Sequence, residues 1–325
     1  MHRTHRIAAA FAGCVLATAV SAQTTLKLAH TQSSTDSHHL AAVFFADEVK
    51  KRSNGAITVS VHPSGELGND PATLEGVRLG TIDIGLTGNP FFTRFDKKLN
   101  ALDLPFLFAD YAHAYRVVDG PIGSQLLTGL EQNRMKGLAF WEIGFRHVTN
   151  SKRPIVTPKD LQGLKIRTTP NPAHVEAFKL LGANPTPMAF TELYLALETG
   201  TVDGQENPVG IIYSQRFNEV QKHLSLTGHA YTVSILAMNL DRFQKLPAAQ
   251  QKILVDSARD AATYQRKLNR DIEGKALAEL KAKGMAVVEK IDTSAFQAIV
   301  AQPTADTYIK EFGPDLVNAI RAQQK

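Results

Sequence analysis

The residues best suited to hold a ligand are two arginines and an asparagine at strand ends in the second half of the chain. Arg146 lies in Gly144-Phe145-Arg146-His147-Val148-Thr149-Asn150, and Arg167 closes Leu164-Lys165-Ile166-Arg167 just ahead of Thr168-Thr169-Pro170. Asn207 lies in Asp203-Gly204-Gln205-Glu206-Asn207-Pro208. A guanidinium is a planar fork that meets a carboxylate with two parallel hydrogen bonds. An arginine ending an apolar strand is costly to bury without an anion beside it. That anion is either an internal Asp or Glu or a bound carboxylate, and for one arginine alone the internal partner is the simpler reading.

Signatures of catalysis are absent. The chain has no G-x-x-x-x-G-K-[ST], no G-x-G-x-x-G, no G-x-S-x-G and no H-E-x-x-H. His38 and His39 are adjacent, so on a helix they point about 100° apart and form no chelating pair; they read as solvent-facing. No spacing pairs two acids as general acid and base. No cofactor and no metal site is expected.

The elements that must carry these residues alternate. Leu26 to Ala29 reads as a strand, and Ser37 to Arg52 as a helix whose apolar face joins Leu40, Val43 and Phe44 with Phe45 and Val49. Ile57 to Val61 is a second strand, Pro71 to Gly80 a helix with proline near its start and glycine past its end, and Ile82 to Leu86 a third strand. The rhythm restarts with a long strand from Ala139 to Thr149 and a helix start or turn at Thr157 to Leu161. A strand at Leu164 to Arg167, helices at Pro172 to Leu181 and Glu192 to Glu198, and a strand edge at Val202 to Gln205 follow. Two α/β units in series predict two lobes with a ligand cleft between them. Pro247 to Gly284 is rich in helix formers and reads as one long helix, or two broken near Gly274; a surface helix or a brace across both lobes both fit.

The ends bound the setting. Arg3 and Arg6, the uncharged apolar run Ile7 to Val20 and the small residues Val20 and Ala22 have the layout of a secretory signal peptide over 1–22, cut near Ala22. Cys14, the single cysteine, falls inside it, so the mature chain is expected to hold no disulfide and no Cys-ligated metal. The 36 Lys+Arg fall by two with the leader, to 34 against 31 acids, a net charge of +3 that implies no nucleic-acid or membrane field.

Longer stretches resemble a known family. Gly163-Leu164-Lys165-Ile166-Arg167, Leu181-Gly182-Ala183-Asn184-Pro185-Thr186-Pro187-Met188-Ala189-Phe190 and Val202-Asp203-Gly204-Gln205-Glu206-Asn207-Pro208 look like the periplasmic binding subunits of tripartite ATP-independent periplasmic (TRAP) transporters. Pro63-Ser64-Gly65-Glu66-Leu67-Gly68, Leu102-Asp103-Leu104-Pro105-Phe106-Leu107-Phe108 and Gly144-Phe145-Arg146 agree, in order, across nearly all of the mature chain. The resemblance implies an α/β, two-lobe periplasmic-binding-protein-like fold with a lobe-spanning helix, here with lobe I at 23–145 plus about 230–272 and lobe II at 146–229 plus about 273–325. It implies closure on an organic acid, a bidentate salt bridge from Arg167, hydrogen bonds from Arg146 and Asn207, and delivery to an integral-membrane permease without nucleotide or chemistry. A periplasmic monomer is expected.

Lobe I would read the rest of the ligand, with His30, Gly88, Asn89 and Phe91 as candidates. Glu66 and Asp70 stand nearby, with a solvated loop as the plainer reading. Phe190 could serve as a platform or as packing, Trp141 and Glu142 could line the wall, and Arg94 or His30 could meet a second carboxylate. Sialic-acid-binding members carry an acid and a base where Gly88 and Phe91 stand, which argues against that ligand. A C4 dicarboxylate, a hexuronate or other sugar acid, and a keto or hydroxy acid stay open. Alternatives are a periplasmic enzyme acting on an organic acid and a protein that presents its ligand to a sensor.

Overall fold

The computed structural model describes residues 23–324, so the expected signal peptide and Cys14 lie outside the described residues. The chain begins with β1 (Thr24–His30), α1 (Ser37–Arg52), β2 (Ile57–His62), α2 (Asp70–Leu79), β3 (Ile84–Gly88) and α3 (Asn89–Phe92). A 3-10 segment (Lys97–Asp103), α4 (Tyr111–Asp119) and α5 (Pro121–Gly129) lead into β4 (Met135–Asn150). Then come β5 (Lys165–Thr168), α6 (Pro172–Leu180), β6 (Asn184–Pro187), α7 (Leu193–Glu198), β7 (Gly204–Asn207), α8 (Val209–Ser214) and β8 (His223–Asn239). The chain ends with α9 (Leu240–Gln244), α10 (Ala248–Ala282), β9 (Ala286–Val288), α11 (Ser294–Phe312) and α12 (Asp315–Ala322).

One sheet runs through both halves in the order β2-β1-β3-β8-β4-β7-β5-β6, with β9 added on β8. The two long strands β4 and β8 pair antiparallel and belong to both halves. Residues Ser234 to Met238 of β8 receive β3, whereas His147 to Asn150 of β4 receive β7. Between those stations the β4–β8 register shifts at Glu142/Gly144 and at Arg146/Val148. Bulges bend and twist a strand pair, so the sheet turns where the two lobes meet. Gly144 sits in the bend with φ +118°, a conformation that only glycine adopts at little cost.

Each lobe is cored on both faces of its sheet. Leu26, Leu28, Ala41, Phe45 and Trp141 form one cluster of the first lobe, and Leu74, Val77, Phe92, Leu102 and Val117 the other. α10 delivers Leu254, Ala258 and Ala261 to the first lobe and Ala276 and Leu280 to the second, so it is the brace across both. Its 35 residues run unbroken through Gly274.

Several expectations change. In α1 the buried face is Ser37, His38, Ala41, Ala42, Phe45 and Val49, while Leu40 and Val43 are exposed. His38 is therefore buried, held between Asp36 (2.8 Å) and Ser234 (3.1 Å). The strand at β7 is interior, bonded to β4 and β5. β8, a strand not expected from the sequence, is nearly continuously buried and shows no period-two alternation to read. Val317 and Ile320 of α12 join the first-lobe cluster with Val117 and Leu126, although that segment was expected to complete the second lobe.

Candidate functional site

Arg167 is the third residue of β5, a strand flanked by β6 and β7 and covered by α6. The arrangement leaves its side chain 1% exposed. Nη2 donates to the Met188 carbonyl at 2.9 Å, but Nε and Nη1 are buried without a partner. Among the described residues no carboxylate forms an ion pair with it. The Phe190 ring lies 5.9 Å from the guanidinium. Burial pulls the Arg167 pKa down to about 10, which still leaves it charged at neutral pH. A buried cation with two idle donors is an open socket for an oxyanion.

Arg146 is different. It follows the bend in β4, and its guanidinium grips Glu206 of β7 from Nε and from Nη2, the latter at 2.9 Å. Nη2 also donates to the Glu206 carbonyl (2.6 Å) and to Asn207 Oδ1 (3.2 Å). Burial would raise the Glu206 pKa, but the Arg146 charge and the hydrogen bond from His229 outweigh it and hold the carboxyl well below the usual range. This arginine has an internal partner. Asn207 is pinned too, with Nδ2 donating to Gln205 Oε1 at 2.6 Å.

Arg146, Arg167, Asn207, Phe91 and Phe190 surround one narrow cavity between the lobes. The sequence thus brought five candidates to one place, and Gly88 lines it as well. His30 and Asn89 are not on its wall. His30 turns to His39 (3.2 Å), and burial, reinforced by the neighbouring histidines, lowers its pKa to about 3, so it is neutral. The Asn89 amide donates to the Leu99 carbonyl and to Asp103 (2.6 Å). Asp103 also receives Asn171 at 3.0 Å, a contact that joins the start of α6 to the 3-10 segment of the first lobe. Trp141 is core, with its indole N–H on the Ala258 carbonyl, and Glu142 is tied to Tyr115, Asn269 and Arg270. Arg94 pairs with Glu75 near the surface, away from this cavity.

Glu66 is exposed, but Asp70 is not in a solvated loop. It opens α2, is 2% exposed and lines the cavity. Thr31 donates to its Oδ1 at 3.1 Å, and Oδ2 is buried without a partner. Burial raises its pKa to about 6. Gln32, Pro90, Ile143, Thr169, Ile211 and Thr232 complete the wall and were not anticipated. Glu206 was missed as well, although an acid inside a buried strand beside an arginine-bearing strand is a signal for an internal pair.

Comparison with known proteins bears on this site. The family described as bacterial extracellular solute-binding protein, family 7, matches residues 28–311. The 2,3-diketo-L-gulonate-binding periplasmic protein YiaO of Escherichia coli is 42% identical over 297 residues, 91% of this chain and 90% of YiaO. A TRAP periplasmic solute-binding protein of Polaromonas, solved with D-erythronate, superposes with a TM-score of 0.90 at 43% identity, covering 92% of this chain and 99% of that one. One from Sulfurospirillum deleyianum, solved with succinate, gives 0.87 at 31% identity over 93% and 99%. No helix among the described residues is long and apolar enough to cross a membrane.

Proposed function

We propose, given that the chain belongs to the bacterial extracellular solute-binding proteins of family 7, that it captures a small organic acid in the periplasm and hands it unchanged to a TRAP-type membrane permease. The observation that carries this reading is Arg167: a buried guanidinium with Nε and Nη1 unpartnered, in a cavity between two lobes. The ligand carboxylate takes these two donors and relieves a buried charge. Arg146, its charge met by Glu206, holds Asn207 in place on the cavity wall. The lobes, divided near 145/146 and 229/230 with α10 as the brace, close because the ligand touches both and so favours the closed arrangement.

Relatives named for 2,3-diketo-L-gulonate or solved with D-erythronate or succinate bind molecules that share a carboxylate or a sugar-acid skeleton. The reading extends that class to this chain, acting as an exported monomer after a leader is cut near Ala22. It is a binding protein and not an enzyme: the cavity groups are committed to holding an anion. Calorimetric titration of the mature protein with organic acids and with the neutral alcohols or amides of the same skeletons tests it. Binding of an acid without binding of its neutral counterpart, and recovery of the acid intact after long incubation, is expected. Equal binding of the neutral forms, or conversion of the acid, contradicts it.

A further inference from the structure

We infer that Asp70 makes the cavity selective for a hydroxylated monocarboxylate and against a dicarboxylate. The inference rests on the reading of Arg167 as the clamp for the first carboxylate.

Charge accounting leads to it. Two cations line the cavity, Arg146 and Arg167. Arg146 is already neutralised by Glu206 through a two-point grip. Arg167 is therefore the one lining cation, among the described residues, that lacks an anionic partner, and a single ligand carboxylate takes it. A second carboxylate on the same ligand would find no idle cation. It would face the Asp70 carboxylate instead, in a closed space where an unpaired charge is expensive.

The same residue supplies what a polyol needs. Asp70 Oδ2 is a buried acceptor with no donor, at the opposite lobe from Arg167. A ligand hydroxyl fills it with a charge-assisted hydrogen bond. Gln32 and Thr169 offer further polar groups, while Phe91 and Ile143 provide apolar faces for carbon-bound hydrogens. A hydroxy acid thus joins a donor socket in one lobe to an acceptor socket in the other, and each end satisfies a group that is otherwise orphaned. A site that hydrogen-bonds a hydroxyl discriminates strongly against analogues that lack it, because its own buried group is then left unpaired.

Calorimetry on the mature protein with matched pairs decides the matter: erythronate against succinate, and galactonate against galactarate. The intact protein should bind at least one monocarboxylate about 100-fold more tightly than the dicarboxylate of the same length. Asp70→Asn, which keeps size and shape, should weaken that monocarboxylate about tenfold or more while leaving the dicarboxylate unchanged or tighter. A native preference for succinate or galactarate overturns the inference without touching the clamp, and so does an equal loss for both members of a pair in the variant. The native ratio stands as a test by itself if Asp70→Asn folds poorly. Failure of all four acids to bind overturns the underlying reading as well.

Discussion

Arg146 and Glu206 face each other across two neighbouring strands and close a two-point ion pair in the interior. Arg167, one strand further along the sheet from Glu206, has no such partner. In the proposed function, two arginines that look alike in the sequence have opposite tasks, one to build the wall of the cavity and one to receive the ligand.

Their variants should separate on stability without any ligand. Arg146→Ala leaves Glu206 buried with only the His229 hydrogen bond and should cost about 3–5 kcal/mol. Arg167→Met removes an unpartnered buried cation at nearly constant volume and should leave stability unchanged or raise it by roughly 1–3 kcal/mol. Urea denaturation of the two ligand-free variants checks this; a larger loss for Arg167→Met would contradict it.

Asp70 should stabilise the ligand-free fold when protonated. Burial raises its pKa to about 6 from a reference of 3.8, so between these values the folded chain holds a proton that the unfolded chain releases. Its contribution is most favourable below the unfolded value and is lost as pH climbs through about 6. Asp70→Asn should thus gain up to about 3 kcal/mol over the native protein at pH 8 and nothing near pH 4. The difference between the two proteins isolates this group from other titrations. A gain that grows toward acid pH has the wrong sign and would refute the assignment.

The bend of β4 should depend on Gly144. Its φ of +118° disfavours any side chain, so Gly144→Ala should lose about 1–3 kcal/mol. Pro208 lies 3.5 Å from the added methyl, which is ordinary contact, so the loss reports backbone strain and not a clash. A neutral result by thermal denaturation would mean that the bend relaxes freely.

Gly274 offers the opposite case. It lies inside α10 with nothing within 4 Å of an added Cβ. Gly274→Ala should stabilise the brace by about 0.5–1 kcal/mol, seen as a higher midpoint with ligand affinity preserved. Destabilisation would show that the brace needs the glycine's freedom.

Much of this was legible in the sequence where local rules act alone. The limits of α1 are those expected, Ser37 to Arg52, although its apolar face is not, and Asp36 caps it by accepting from the His38 amide. α2 ends at Gly80 in the left-handed conformation, as the Gly80 stop signal predicts. Arg167, Arg146 and Asn207 do meet at one cavity because their strands are neighbours in the sheet. What escaped were decisions made by tertiary contact. β8 lacks alternation because both faces are covered. His38 is buried because Asp36 and Ser234 satisfy both ring nitrogens, an arrangement that spans 196 positions of sequence. Asp70 looks like a loop acid until the start of α2 buries it beside Thr31, and Asn89 looks like a ligand contact until Asp103 claims its amide.

If Arg167 is the clamp for the ligand carboxylate, calorimetry of Arg167→Ala and Arg167→Lys with an acid that the native protein binds will show it. Affinity should fall about 100-fold or more in Arg167→Ala and recover only partly in Arg167→Lys, whose point charge cannot make the two-point contact, with both variants folded. Native affinity in folded Arg167→Ala would contradict it and would move the clamp elsewhere in the cavity.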